Sequence, residues 1–99
     1  MTENVIFHKF VQRDMNEIIR YYTNEAGDAL ADRFYSAFIS TVEKALSNPE
    51  YFHPLHGVVR RASISRFPYH FLYRKTASGI RVLVLRHDRR HPNYGMSRR

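Results

Sequence analysis

Arg60, Arg61, Arg66, Arg74, Arg81 and Arg86 follow one another in the second half of a 99-residue chain, with His87 and Tyr94 close behind. These are the residue types of a phosphate site. Guanidiniums bind the charge, an imidazole titrating near neutrality can move a proton, and a tyrosine ring can stack on a base. A nuclease reading uses His87, Arg66, Arg74 and Tyr94. It lacks a carboxylate base, because no Asp or Glu occurs between Tyr51 and His87, and Lys75 is the only lysine after Lys44. Strand alternation sets Arg60 against Arg61, and Arg81 against Arg86, on opposite faces, so only about half of these arginines can converge. Each residue also has a structural alternative. His87 can hydrogen-bond the turn at Asp88–Arg90, and Arg66 and Arg74 can pair with Asp14 or Glu17 of a helix.

Binding without chemistry asks for less. Arg89, Arg90, His91, Arg98 and Arg99 carry the positive charge past the last strand. The planar fork of arginine suits it to carboxylate or phosphate at an interface. The expected partner-binding set is therefore Arg60, Arg61, Arg66, Arg74, Arg81, Arg86, His87, Arg89, Arg90 and Tyr94. Tyr21, Tyr22, Tyr35 and Tyr51 are expected to be half exposed, where tyrosine serves interfaces.

The charge is segregated. Met1 to Gly57 holds eight acids and five bases, a net −3, whereas Val58 to Arg99 holds eleven bases and one acid, Asp88, a net +10. A surface made basic only for solubility would not need the acids removed from one half. An acidic partner, nucleic acid or protein, is implied. Cysteine is absent, which rules out a disulfide scaffold, a thiolate metal site and a Cys nucleophile. The pairs His53/His56 and His87/His91 lie off any predicted helix and without a carboxylate cluster, so no metal is expected. With four glycines, no phosphate-binding glycine loop or dinucleotide fingerprint can be assembled, and no cofactor is expected. No apolar run approaches a membrane span, and the N-terminus lacks a signal-peptide layout; a cytoplasmic protein is expected.

One domain must position these residues. About 43% of the chain is apolar, with seven Tyr and seven Phe, enough for one core. Asn4 to His8 predicts a short strand. Val11, Met15, Ile18, Ile19 and Tyr22 then recur at helical spacing, with Gln12, Asp14, Asn16, Glu17 and Arg20 filling the opposite side. Gly27 is expected to end this helix in the left-handed conformation and Asp28 to cap the next. Leu30, Phe34, Ala37, Phe38, Thr41, Val42, Ala45 and Leu46 form a wide buried stripe, stopped at Asn48-Pro49. Glu50 to Gly57 reads as a loop. Val58–Ile64, Phe67–Lys75 and Ile80–His87 read as strands, the last two joined as a hairpin, with the final strand central. Pro68 belongs at a strand start, and the tail after Asp88 is expected to be loosely held. The class is α+β, in the order β-α-α-β-β-β: a helical hairpin packed on a small, mostly antiparallel sheet.

Two stretches extend this reading. Arg66-Phe67-Pro68-Tyr69-His70-Phe71-Leu72-Tyr73-Arg74 resembles the R-x-F-P-Y strand of ParE-like toxins. Ile80 to Pro92 is similar to the apolar last strand that such toxins finish with H-x-R-R-x-P. With the helical hairpin, the resemblance to the RelE/ParE superfamily of type II toxin–antitoxin systems covers nearly the whole chain. It implies a growth-inhibiting toxin held inactive by a cognate acidic antitoxin. The ParE branch is described as poisoning DNA gyrase, and the RelE branch as cutting mRNA on the ribosome. A non-toxic basic module that binds nucleic acid is the third possibility. The fold is shared, so the site must decide.

Overall fold

The computed structural model describes residues 4–99. Helices α1 (Val11–Ala26) and α2 (Asp28–Ser47) are separated by Gly27 alone. Its φ of +88° is open to glycine and costly for other residues, so a single residue reverses the chain. Its ψ of 175° is extended, so Gly27 is not the left-handed stop that the spacing suggested. Gly27 also occupies the cap position of α2. Asp28 starts the helix with no side-chain cap bond, and its charge faces the positive helix end. Asn48 follows α2 and its N–H bonds the Lys44 carbonyl, so the helix stops just before Pro49.

The strands are β1 (Asn4–Phe7), β2 (Pro54–His56), β3 (Val59–Ser63), β4 (Tyr69–Lys75) and β5 (Gly79–His87). They form one mixed sheet in the order β1-β5-β4-β3-β2, parallel at β1–β5 and antiparallel elsewhere. The short β2 lies in the stretch that reads as a loop, and β5 is an interior strand with β4 at the middle. Both helices cover one face. Val11, Met15, Ile18, Phe34, Phe38 and Val42 meet Tyr69, Phe71, Tyr73, Ile80, Val82 and Leu85 in a single core. Phe34 is fully buried among Tyr22, Phe67 and Tyr69, with ring centroids 5.2–5.6 Å away. Truncating such a ring costs about 3–5 kcal/mol.

A β-bulge sets what the other face presents. Leu72 pairs with Val84 and Tyr73 with Val82, which leaves Leu83 without a partner. One extra residue reverses the alternation of every residue beyond it. Ile80 and Val82 therefore point to the helices before the bulge, and Leu85 does so after it. Arg81 and Arg86 consequently share the outer face, contrary to simple alternation.

The segment after Asp88 packs on that face. Successive turns bond Tyr94 N–H to His91, Met96 N–H to Asn93 and Arg98 N–H to Gly95 carbonyls. Gly95, at φ +78°, lies so close to Val84 that an added Cβ would stand 2.6 Å from a Val84 methyl. The tail is thus docked rather than loose.

Candidate functional site

The tail is held by an acid on α1. Asp14 is 3% exposed, on the buried side of the helix rather than the solvent side. Its Oδ2 accepts from Arg98 Nη1 at 2.7 Å and from the Leu85 N–H at 3.1 Å, and its Oδ1 from the Tyr94 hydroxyl at 3.0 Å. Strand β1 pairs with β5 only as far as Val82, so the carboxylate supplies an acceptor for a strand N–H beyond the end of that pairing. Burial opposes the Arg98 charge, but Asp14 and Tyr94 hold that guanidinium above its usual value. The sequence carried a signal for this. Asp14 stands three residues after Val11 and four before Ile18, on the apolar stripe, and a buried acid needs a buried partner. Nothing in the sequence singled out Arg98 as that partner.

A second polar chain crosses the outer face. Arg86, 6% exposed, donates from Nε to His70 Nε2 at 2.9 Å, and from Nη1 to the Pro92 and Tyr94 carbonyls, both at 2.8 Å. His70, 1% exposed, donates from Nδ1 to Asp88 at 2.9 Å, and Asp88 also accepts from Arg61 at 3.3 Å. With Nε2 accepting, the ring is neutral and its proton sits on Nδ1. Burial pushes the His70 pKa below its ordinary value; the Asp88 bond opposes this, and the Arg61 and Arg86 charges add to it. Arg86 is therefore fastened to its own chain, by His70 at Nε and by the two tail carbonyls at Nη1, and nothing in the sequence marks His70 for this role.

The structure does not bring the nuclease set together. His87 and Tyr94 share a pocket of about 220 Å³ with Glu17, Tyr21, Tyr69 and Arg90. Within it, His87 Nδ1 accepts from the Arg89 N–H at 3.0 Å, and the ring stands edge-on to Tyr69. Arg66 lies before β4, exposed at φ +73°, and does not line the pocket. Arg74 lies at the far end of that strand: the five steps from Tyr69 alone span roughly 17 Å. Neither Arg66 nor Arg74 pairs with Asp14 or Glu17, since Asp14 is taken by Arg98.

The remaining arginines divide by face. Arg60 turns to the helix side, where its Nη1 donates to the Phe52 carbonyl at 2.7 Å. Arg61, Arg74, Arg81 and Arg86 share the outer face, with Arg74 directly opposite Arg81 in the register. Arg81 also donates to the main-chain oxygen of Arg99 at 2.8 Å. Arg90 stacks on Tyr94, its guanidinium carbon 3.9 Å from the ring centre, and Arg89 is exposed. Of the eleven bases after Gly57, three have a side-chain carboxylate within 4.0 Å among the described residues: Arg61, Lys75 and Arg98. Most of the positive charge has no internal counter-charge. No three metal-ligating side chains come together among the described residues, and none of their helices is long and apolar enough to cross a membrane.

A helical hairpin on a five-stranded mixed sheet, with most bases of the C-terminal half lacking a carboxylate partner among the described residues, defines a small basic α+β protein. The model of the family described as ParE toxin of type II toxin-antitoxin system, parDE, matches residues 5–92. The chain belongs to the ParE toxin family. Its fold is similar to that of a chain from the chromosomal ParDE TA system of P. aeruginosa, with a TM-score of 0.75 and 17% identity, covering 86% of this chain and 95% of that one. No curated protein matches the sequence.

Proposed function

We propose that this toxin arrests growth by binding DNA gyrase and trapping its cleaved-DNA state, with no covalent chemistry of its own, and that a cognate acidic antitoxin neutralises it. The observation that carries this reading is the unpaired cationic surface of the C-terminal half, next to a nuclease set that does not converge. A surface that only binds needs arginines facing outward; a nuclease needs its acid, base and clamp around one phosphate.

The antitoxin reading is supported by a second surface feature. A groove of about 370 Å³ between β1 and the helices is lined by Phe7, Val11, Met15, Tyr35, Phe38 and Ile39. Phe7 and Tyr35 are 42% and 50% exposed, and β1 leaves one sheet edge open. An amphipathic helix fits such a groove and an extended segment fits such an edge. The acidic chain folds on binding, and its carboxylates meet the arginines. Charge steering then makes the on-rate salt-sensitive.

A ribosome-dependent mRNA endoribonuclease is the second reading, favoured by the single pocket that joins His87 and Tyr94 to Glu17. Supercoiling by purified gyrase, measured with toxin alone and with toxin plus antitoxin, tests the first. Inhibition by toxin that antitoxin reverses is expected. Undisturbed supercoiling with loss of toxicity in His87→Ala, while antitoxin binding persists, would favour the second.

A further inference from the structure

A buried arginine in the outer face keeps one donor unused. Arg86 binds His70 through Nε and two tail carbonyls through Nη1, but Nη2 has no hydrogen-bond partner among the described residues. No solvent-shielded side-chain nitrogen or oxygen lacks a partner among the described residues, so Nη2 reaches the surface, where Arg86 lines two openings: the pocket it shares with His87 and Tyr94, and a second, wider cleft. A guanidinium already held at two nitrogens is a fixed donor, with little motion left to lose on binding.

Two further arginines face the same cleft, an open space of about 600 Å³. Arg61 enters from β3, and Arg90 from the turn after β5, where Tyr94 restrains it from below. The single carboxylate in the wall, Asp88, already accepts from His70 and Arg61. Leu55, Pro92 and Met96 supply apolar wall beside the charges. Burial, and then repulsion by Arg61, push Arg86 below the usual guanidinium value; an anion between the two would reverse the second effect.

We infer that this cleft binds a phosphate of a nucleic-acid strand. A carboxylate is planar and is satisfied by one bidentate fork. Arg86 offers no fork, since its other two nitrogens are engaged. What the cleft offers is single donors converging from three strands or turns, which suits the tetrahedral oxygens of a phosphate. Arg74 and Arg81 continue the positive track along the outer face, as strand-binding grooves require. The apolar wall is where a base would rest.

The test uses the whole protein and a fluorescent oligothymidylate of about 12 nucleotides, followed by anisotropy across a salt series. Arg90→Gln and Arg61→Gln should each weaken binding about tenfold, and each lower the salt slope by about 0.7. Arg33→Gln, an equal charge loss on the exposed face of α2, should change affinity less than about twofold. Because Arg86 also holds the tail, its role is read without substitution, from the NMR signal of its Nε–H, which should move on adding the oligonucleotide. Equal losses in all three variants, or an unmoved Arg86 signal, would overturn the assignment. So would polyglutamate displacing the probe as well as unlabelled oligothymidylate does, which would make an acidic peptide the ligand. Inorganic phosphate competing as well, phosphate for phosphate, would leave a free-anion site and overturn the strand.

Discussion

Replacing Asp14 with alanine should detach the tail and destabilise the whole domain. The carboxylate is 1% exposed and accepts from Arg98, Tyr94 and the Leu85 N–H. Removing one partner of a buried ion pair costs about 3–5 kcal/mol. Arg98 lies in a turn segment and can swing out to water, which draws the cost toward the lower end. The Leu85 N–H cannot leave the sheet, and stranding it costs about 1–3 kcal/mol. The expected loss is about 3 kcal/mol, a fall of roughly 12–24 °C in Tm at about 4–8 °C per kcal/mol for a domain of this size. Thermal and urea unfolding followed by circular dichroism measure the loss, and tryptic cleavage after Arg89 and Arg90 reports the tail. Asp14→Asn, which keeps an acceptor for Leu85, should lose less. Asp14→Ala within about 1 kcal/mol of the parent, with the tail as resistant to trypsin as before, would refute the clamp.

Two further outcomes follow from the outer face. Since burial lowers the His70 pKa, the unfolded chain binds the extra proton first; His70's contribution to stability is complete above the ordinary value of 6.5 and is lost as pH falls through the lower folded-state value. Urea midpoints should therefore drop between pH 7.5 and 5.5, and His70→Asn should flatten that drop. Gly95→Ala should cost about 1–3 kcal/mol by overpacking Val84, on top of the strain of a positive φ, read as a lower urea midpoint with an unchanged slope.

The fold was legible because its signals were local and mutually consistent. Phe34, Phe38, Val42 and Ala45 recur at helical spacing and are buried, and Tyr69, Phe71 and Tyr73 alternate onto the core. What escaped was set by long-range geometry. The unpaired Leu83 is a register effect between β4 and β5, and no composition marks it, so Arg81 and Arg86 were assigned to opposite faces. The three-residue β2 is too short for a periodic pattern, and its Pro54 argues for a loop. At the site, the arginines were visible as types. Their division into fastened (Arg86), half-engaged (Arg61, Arg81) and free (Arg66, Arg74, Arg89) depends on His70, Asp88 and the docked tail. Those partners meet only in the folded chain.

The central claim is that this positive surface grips a macromolecule without transforming it. Titrating the toxin against a fixed amount of gyrase and relaxed plasmid, with ribosomes and excess mRNA in a parallel reaction, tests it most directly. Supercoiling should fall until toxin matches gyrase and then stay constant with time, while the mRNA remains whole. Cleavage of excess mRNA by a small amount of toxin, growing with time while gyrase works normally, would contradict it.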